Sequence, residues 1–217
     1  EAGVEMGKFF ADKGIKTAAI YGAFIPNPMH VYRTAGVLAG LGLSYGGATT
    51  EEDVVGLIFA DQGIDLSKIS GDIKIVSYLQ GYGDTTTDEI NAAIQAAPEA
   101  FISVGMATTF FTQQLNAAGI EFSDIDSFTK SNGEAITNGK LVYLAGKYSS
   151  SVGPAFALVM NAINGNVIRD AQGNAVSLSQ NYQVATDSET FDKFYKNDNG
   201  DREQIILDVI ESIHDSD

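Results

Sequence analysis

The sequence predicts an α/β fold in which a mostly parallel sheet is covered by helices on both faces. Short apolar runs of strand length alternate along the chain with longer runs of helical periodicity. This alternation is typical of parallel strands joined by crossover helices, and buried parallel strands have near-continuous apolar sequences. With 217 residues, of which 44% are hydrophobic, the chain is long and apolar enough to bury a layered core.

The first strand and its two flanking helices show this pattern. A helix is predicted over residues 1–14, because apolar residues recur on one side and Gly14 stands where a helix ends. Residues 15–22 (IKTAAIYG) predict a short buried strand. After a loop with two prolines, residues 31–42 return to a helical pattern. This succession of helix, strand, loop and helix is the unit of an α/β layered fold.

The same alternation continues through four more strands. Thr86 or Thr87 is the expected N-cap of the next helix, with Glu89 just inside it. Strands are predicted at residues 73–79, 100–106, 120–128 and 141–148, and helices at 85–100 and 108–119. Residues 131–139 predict a short helical or irregular segment.

Two segments depart from the alternation. Residues 44–72 contain an additional predicted helix at 51–63, inserted before the next strand. Residues 166–185 predict a hairpin around the sequence AQGN, followed by a strand near 180–185. Two short helices are predicted in the tail, at 188–196 and 202–212.

Charge and composition exclude some classes of protein. The net charge of −15 and the pI near 4.3 argue against nucleic acid as a partner, because backbone binding needs clustered Lys and Arg. The lack of cysteine fits an oxidising, extracytoplasmic location without requiring one. No apolar run reaches the roughly 18 residues of a membrane span. Since the chain begins at Glu1 without a leader sequence, we expect a processed form or a fragment.

Catalytic and metal-binding motifs are missing from the sequence. It contains no dinucleotide fingerprint, no P-loop and no nucleophile elbow. It has no cysteine, and its two histidines, His30 and His214, are far apart, so a zinc site is not predicted. The stretch NDNGD at 197–201 lacks the first and last acidic ligands of a calcium loop and predicts a turn. We therefore expect a binding protein without enzymatic activity, cofactor or metal.

Asp124 and Asp126 form a pair of carboxylates on one predicted strand. Residues two apart on a strand face the same way, so the two carboxylates could share acid–base work. The alternative is that one of them ends the strand in solvent.

A ligand site is expected beyond the carboxyl ends of the strands, as in other open parallel α/β sheets. These ends supply a guanidinium, a carboxylate, an ammonium group and several aromatic rings. Carbohydrate sites combine such hydrogen-bonding groups with aromatic faces that cover the C–H surface of a sugar. The segments concerned are Tyr21 to Pro28 with Arg33, Gly105 with Met106 and Thr108, Asp124 to Ser127, and Lys147 with Tyr148.

Three segments resemble the type I periplasmic binding proteins. They are residues 1–22 (EAGVEMGKFFADKGIKTAAIYG), the RTAG sequence at 33–36, and the strand–GKYSSSVG–helix–NG arrangement that ends at Gly165. Members of this family are solute receptors of ABC importers, typified by the ribose- and galactose-binding proteins. The resemblance covers most of residues 1–187 and is closest to a sugar-receptor branch found as lipoproteins in Gram-positive bacteria.

The resemblance implies two similar lobes, joined by three crossovers, with the ligand held between them. Residues 1–147 would form the second lobe, and residues 148–165 a crossover and a helix that packs on the absent first lobe. Residues 166–187 would be a hairpin and a strand that returns to the second lobe, and 188–217 a C-terminal helical tail. We accordingly expect the helix at 153–164 to be exposed, or buried by self-association against a neighbouring chain.

The resemblance also implies ligand-binding roles for residues at the strand ends. Arg33 matches an arginine that hydrogen-bonds sugar hydroxyls, and Asp126 matches an aspartate that accepts hydrogen bonds from them. Lys147 would lie at the hinge, facing the cleft, where sugar receptors often carry a glutamine. Gly105 is also a candidate ligand-binding residue. Together with Met106 it occupies the position where ribose-type receptors carry Asn-Asp, and this difference disfavours a simple pentose as the ligand. The aromatic rings that could stack on a sugar, or alternatively pack in the core, are Phe24, Tyr82, Phe110 and Tyr148.

The expected function is that of an extracytoplasmic receptor, in the periplasm or on the cell surface as a lipoprotein. It would bind a sugar and deliver it to the ABC transporter permease in the membrane. We expect Arg33, Asp126 and Lys147 to converge at one edge of the sheet and to hold one another by opposite charge in the absence of ligand. The alternatives are the effector-binding half of a LacI-like transcription regulator, which shares the fold, and a small α/β enzyme.

Overall fold

The computed structural model describes residues 1–22, 24–25, 27–80, 85–149, 152–176, 178–199 and 213–215. The helices, in chain order, are α1 (Ala2–Asp12), α2 (Pro28–Gly40), α3 (Glu51–Asp61), α4 (Thr87–Gln95), α5 (Ala107–Phe110), α6 (Thr112–Ala118), α7 (Lys130–Asn138), α8 (Val152–Ile163) and α9 (Ser188–Asn199). The strands are β1 (Thr17–Tyr21), β2 (Ser44–Tyr45), β3 (Ile69–Ser70), β4 (Lys74–Leu79), β5 (Ala100–Ser103), β6 (Glu121–Ile125), β7 (Leu141–Gly146), β8 (Leu178–Gln180), β9 (Gln183–Ala185) and β10 (Ile213–Asp215). None of the helices within these ranges is both long and apolar enough to cross a membrane.

A six-stranded sheet lies at the centre of the fold, in the order β4-β1-β5-β6-β7-β9. The first five strands are parallel, and β9 runs antiparallel to β7. The predicted mostly parallel sheet is therefore confirmed, and so is the return of the chain to it near residues 180–185. Two small antiparallel pairs, β2 with β3 and β8 with β10, lie outside this sheet.

Two clusters of buried apolar side chains cover the two faces of the sheet. Helices α1, α2 and α3 contribute to one cluster, and α4, α5, α6, α7 and α9 contribute to the other. The prediction of helices on both faces is thus confirmed. Strands β1 and β5 are buried on both sides, which explains why their sequences are continuously apolar.

Glycines bring α1 and α2 into close backbone contact. A Cβ atom on Gly40 would lie only 2.9 Å from the Cα atom of Gly7, and one on Gly36 would lie 3.0 Å from the backbone nitrogen of Val4. Because these positions lack side chains, the two helices approach closely, and Phe10 of α1 is fully enclosed. This contact fixes the position of α2, which carries Arg33.

Side-chain caps set the beginnings of two helices. The hydroxyl of Thr86 accepts a hydrogen bond from the backbone N–H of Glu89, while the Glu89 carboxylate accepts one from the N–H of Thr86. This capping box confirms Thr86 as the N-cap. The side chain of Asn27 caps α2 by accepting from the N–H of Met29, so α2 begins three residues before its predicted start.

Several predicted elements differ in extent from the structure; the helix predicted over 85–100, for example, is Thr87–Gln95, and the strand predicted over 100–106 ends at Ser103. The helix predicted over 108–119 is divided into α5 and α6 at Phe111, where the backbone leaves the helical range (φ −128°) and the ring packs edge-on against Tyr21. The strand predicted over 120–128 ends at Ile125. The helix predicted over 202–212 lies outside the described residues.

Helix α8 and the hairpin that follows it are exposed. The described residues of α8 include no buried side chain, and Phe156 and Ile163 are 63% and 71% exposed. The exposure expected for this helix is therefore confirmed. Arg169 and Ala175 form an antiparallel bridge across the predicted AQGN turn, which confirms the hairpin.

Candidate functional site

The order of the strands identifies one crevice at the carboxyl edge of the sheet. Strand β1 lies between β4 and β5, so the chain passes outward from β1 to β4 and then returns to the other side of β1 at β5. At such a reversal the loops that leave the two neighbouring strands diverge and open a ligand-binding crevice. Here the loop after β1 leads into α2, and the loop after β5 leads through Gly105 into α5.

Arg33 reaches across this crevice from α2. Its Nη1 atom donates to the carbonyl oxygen of Val104, just after β5, at 3.0 Å, and its Nη2 atom donates to the hydroxyl of Tyr182 at 2.7 Å. Its buried Nε atom has no hydrogen-bond partner within the described residues. These contacts anchor the guanidinium group between the ends of two strands and use two of its five N–H donors.

Gly105 keeps the space between Arg33 and strand β6 open. A Cβ atom placed on Gly105 would lie 3.7 Å from Nη1 of Arg33, 3.8 Å from Cε1 of His30 and 3.6 Å from the carbonyl oxygen of Ile125. These are ordinary contact distances, so a side chain here would fill the gap and lie directly on the guanidinium group. The structure thus places Gly105 beside Arg33, as part of the same edge.

His30 forms the buried floor of this part of the crevice. Its side chain is 4% exposed, and this burial lowers its pKa below the usual value. The nearby charge of Arg33 also lowers the pKa, whereas a backbone hydrogen bond with Gly22 raises it by a smaller amount than burial lowers it. A lowered pKa favours the neutral imidazole, so the positive charge at this position belongs to Arg33.

Asp124 is buried beneath the turn between β5 and α5. Its Oδ1 atom accepts from the hydroxyl of Ser103 (3.0 Å) and the N–H of Ile125 (2.9 Å), and its Oδ2 atom accepts from the N–H (2.7 Å) and the hydroxyl (2.6 Å) of Thr108. Desolvation raises the pKa of the Asp124 carboxyl, against the effect of these hydrogen bonds. Since the Ser103 hydroxyl also accepts from the N–H of Gly105, Asp124 holds both ends of the turn.

Asp126 follows β6, is half-buried, and lies near the same Thr108 hydroxyl that Asp124 binds. Its Oδ1 atom accepts from the N–H of Ser127 at 2.7 Å, and its Oδ2 atom lies 3.3 Å from the Thr108 hydroxyl. We expected Asp126 to form ion pairs with Arg33 and Lys147, and this expectation is wrong. No salt bridge among the described residues includes any of these three side chains. Arg33 is held by uncharged groups instead.

Lys147 follows β7 and extends over the ring of Tyr182. Its Nζ atom lies 5.0 Å from the ring centroid, and the guanidinium carbon of Arg33 lies 5.8 Å from the same centroid. Both are within the range of a cation–π interaction. Tyr182 therefore connects Arg33 and Lys147, although nothing in the sequence marks it except that it is an aromatic residue within a predicted strand.

The other aromatic candidates are distributed over different parts of the fold. Phe24 lies half-buried in the loop after β1, at the same edge as Arg33. Phe110 is exposed and lines a small hollow beside α4. Tyr148 is 4% exposed, packs against Phe128 and Phe194, and accepts a hydrogen bond from Asn197. The structure thus does not bring Tyr148 to the crevice, and Tyr82 lies outside the described residues.

A sizeable cavity lies elsewhere in the described part of the chain. It has a volume of about 670 Å³ and is lined by residues of β3 and by the amino end of β4. It touches neither Arg33 nor Asp126 nor Lys147, and Lys74 is the one charged side chain in its lining. The crevice is a better candidate than this cavity because several polar groups converge there, and it is an open edge of the sheet. In the same parts of the chain, no three His, Cys, Asp or Glu side chains are grouped to hold a metal ion.

The fold is similar to that of periplasmic sugar-binding proteins of known structure. A protein from Mycobacterium smegmatis in complex with β-D-fucofuranose has a TM-score of 0.60 at 14% identity, over 100% of this chain and 64% of that chain. An ABC transporter periplasmic solute-binding protein from Actinobacillus succinogenes 130z with bound D-allose has a TM-score of 0.55 at 16% identity, over 89% and 60%. AraP, an arabinose-binding protein from Geobacillus stearothermophilus, has a TM-score of 0.58 at 12% identity, over 89% and 62%.

These similarities confirm the fold that the sequence resemblance implied. The chain spans less than two thirds of the length of each of the three proteins. No family model matches the sequence. No curated protein matches it either.

Proposed function

We propose that the chain forms the second lobe of an extracytoplasmic solute-binding receptor and that the crevice binds a sugar or sugar-like molecule. The observation that carries this proposal is the contact of Arg33 and Lys147 with Tyr182 at the carboxyl edge, the edge at which Asp126 also follows its strand. Its support is that Arg33 lies at the topological switch point, bound to Val104 just after β5, in a fold shared with known sugar-binding proteins.

The chemistry of the group suits a polyhydroxylated ligand. Arg33 keeps N–H donors beyond those bound to Val104 and Tyr182, and Lys147 is an exposed donor. Asp126 supplies charged acceptors, which form stronger hydrogen bonds with hydroxyls than neutral groups do. Gly105 leaves room for the ligand, and Phe24 lies on the same edge. Tyr148 is not included in the proposed site, because stacking on a sugar would require it to leave its buried cluster.

Residues 148–165 are proposed to be a crossover followed by a helix that packs on a first lobe. The exposed apolar face of α8 supports this arrangement, because water is an unfavourable environment for Phe156 and Ile163. Residues 166–187 would return the chain to the lobe of residues 1–147. Self-association through α8 would cover the same face, and analytical ultracentrifugation over a range of concentrations tests for it.

The proposed partner of the complete receptor is the permease of an ABC transporter, with the receptor in the periplasm or anchored at the cell surface as a lipoprotein. We propose that the protein binds its ligand without chemical turnover. No cofactor is needed for this role.

The test is a binding titration of the protein, in this form and as the complete gene product, with a panel of sugars. For a sugar that binds, Arg33→Ala and Asp126→Ala should each weaken binding by roughly 1.5–3 kcal/mol, the range for a lost charge-assisted hydrogen bond. Lys74→Ala, which removes a charge at the opposite edge of the sheet, is the matched control and should leave the affinity unchanged. Equal affinities for all four proteins would reject the proposed site, and a panel without any binding sugar would reject the proposed function.

A further inference from the structure

Two positive charges lie at the crevice, and neither forms a salt bridge within the described residues. Arg33 and Lys147 both lie against the ring of Tyr182, and none of the salt bridges in the described part of the chain includes either residue. Other basic side chains of the described residues, such as Lys74 and Lys140, also lack a salt bridge. What distinguishes this edge is that two cations share one uncharged partner, Tyr182.

The groups that surround the two cations do not neutralise them. Tyr182 contributes a neutral hydroxyl and the face of its ring, which stabilise a cation without cancelling its charge. The Asp126 carboxylate is engaged by the N–H of Ser127 and lies near the Thr108 hydroxyl. Burial favours the uncharged forms of His30 and Asp124. Among the described residues, the charged side chains at this edge are thus the two cations and the carboxylates of Asp126 and Asp198, and Asp198 is engaged by the N–H of Ser149.

The donor geometry also matches an anion better than a neutral hydroxyl. Val104 and Tyr182 occupy two of the N–H donors of Arg33 and fix the plane of its guanidinium group. A planar guanidinium with remaining donors is the preferred partner of a carboxylate, whose two oxygens accept in parallel. Lys147, over the same ring, adds an exposed ammonium group on a flexible stem that can approach the same anion.

We propose that the ligand of this crevice is a sugar acid, and that its carboxylate binds between Arg33 and Lys147 while Asp126 accepts from its hydroxyls. This inference rests on the proposed function, since it specifies the class of sugar that the same edge would bind. A sugar phosphate carries the related anionic chemistry, and the experiment separates the two.

The test compares matched neutral and acidic sugars by titrating the isotope-labelled protein and following its amide NMR signals. The probe pairs are D-galactose with D-galacturonate, D-glucose with D-glucuronate, and D-ribose with D-ribonate, with D-glucose 6-phosphate as the phosphate arm. We expect at least one acid to bind ten-fold or more tightly than its neutral partner, and this ratio to fall as NaCl is raised. The amide signals of Gly105 and Ser127 should be among those that shift.

Substitutions connect the preference to the two cations. Lys147→Gln removes one charge from an exposed side chain and should reduce the ratio between acid and neutral sugar several-fold, without lowering the melting temperature. Arg33→Lys keeps the charge but removes the planar fork, and should also reduce the ratio. Lys74→Gln, the same change at the opposite edge, should leave the ratio as it is.

The outcomes distinguish this inference from the function on which it rests. Neutral sugars that bind as tightly as their acids would overturn the sugar-acid inference and leave the receptor function standing. Tighter binding of the phosphate than of every acid would overturn the assignment to a carboxylate. A ratio that is the same in Lys147→Gln, Arg33→Lys and the parent protein would overturn the site. Absence of binding by all seven probes would count against the proposed function and overturn the inference with it.

Discussion

Helices α1 and α8 are both apolar, but the fold treats them in opposite ways. In α1, Met6 and Phe10 are completely enclosed, because glycines let α2 approach the backbone of α1. In α8, Phe156 and Ile163 are largely exposed. The sequence of α8 is no less apolar than that of α1, so apolar composition alone does not decide burial. What decides it is whether the fold brings another element against the helix.

The same contrast extends to charged groups. The sheet and its helices bury the carboxyl of Asp124 and satisfy both of its oxygens, while α8 leaves a phenylalanine in water. Within the described residues, burial therefore follows the availability of matching partners more closely than it follows polarity. The four predictions below test this contrast between the packed sheet region and α8.

The largest expected effect separates the two helices directly. Phe10→Ala should lower the free energy of unfolding by about 3–5 kcal/mol, because it leaves a cavity in an enclosed site. Phe156→Ala should change it by less than about 0.5 kcal/mol, because the ring is exposed. Urea denaturation followed by circular dichroism measures both values. If the two substitutions cost the same, α8 is packed in solution; in a complete receptor with a first lobe, the cost of Phe156→Ala should rise.

The second prediction concerns the buried carboxyl of Asp124. Asp124→Ala should lower the free energy of unfolding by about 3 kcal/mol, because it leaves the N–H groups of Thr108 and Ile125 buried without an acceptor. Asp72→Ala, at an exposed position, is the control and should fall within about 0.5 kcal/mol of the parent. A loss below 1 kcal/mol for Asp124→Ala would show that water or a rearranged turn replaces the carboxylate.

A smaller effect is expected at the glycines. Gly40→Ala should cost about 1–3 kcal/mol, because the added methyl group would overlap the backbone of α1. Gly56→Ala, in a helix where no atom lies within 4 Å of the new methyl group, should instead stabilise the protein by about 0.5–1 kcal/mol. Thermal denaturation measures both variants. If α1 and α2 approach closely, Gly40→Ala should lower the melting temperature and Gly56→Ala should raise it; if they do not, both substitutions should raise it.

The pH dependence of stability provides the smallest effect. Because burial raises the pKa of Asp124 above its ordinary value of 3.8, the native protein binds the proton more tightly than the unfolded chain does. As the pH falls from neutral toward 3.8, the free energy of unfolding of the parent should therefore rise relative to that of Asp124→Asn.

Glu89 provides a control of opposite sign for this measurement. Its pKa is lowered below the ordinary 4.5 by hydrogen bonds from the backbone and hydroxyl of Thr86. The stability that Glu89 contributes is fully present above pH 4.5 and is lost as the pH falls through the lowered pKa. The free energy of unfolding of the parent should therefore fall relative to that of Glu89→Gln as the pH is lowered. Denaturation curves measured from pH 7 to pH 3 test both slopes, and slopes of the same sign would contradict the assignment of Asp124.

The sequence was sufficient to predict the layered fold and the edge of the sheet where the candidate site lies. Continuous apolar runs follow from burial on both faces, and glycines, prolines and the Thr86–Glu89 pair mark the ends of elements through local backbone chemistry. Arg33, Gly105, Asp126 and Lys147 could be chosen because each follows or faces the carboxyl end of a strand, which is a consequence of topology. The exposure of α8 could be predicted because its apolar surface exceeds what one lobe needs to cover.

Tertiary structure alone decided which of these side chains meet. Tyr182 contacts Arg33, 149 positions earlier in the chain, and no local pattern records such a contact. The sequence could not separate the roles of Asp124 and Asp126, since only packing shows that the first lies under the turn and the second at the open edge. It could not predict that Tyr148 turns into the core, because the choice depends on α9, which packs there from the end of the chain. Periodicity and capping are determined over a few residues, whereas these contacts depend on the positions of whole elements, and those are fixed when the sheet and its helices pack together.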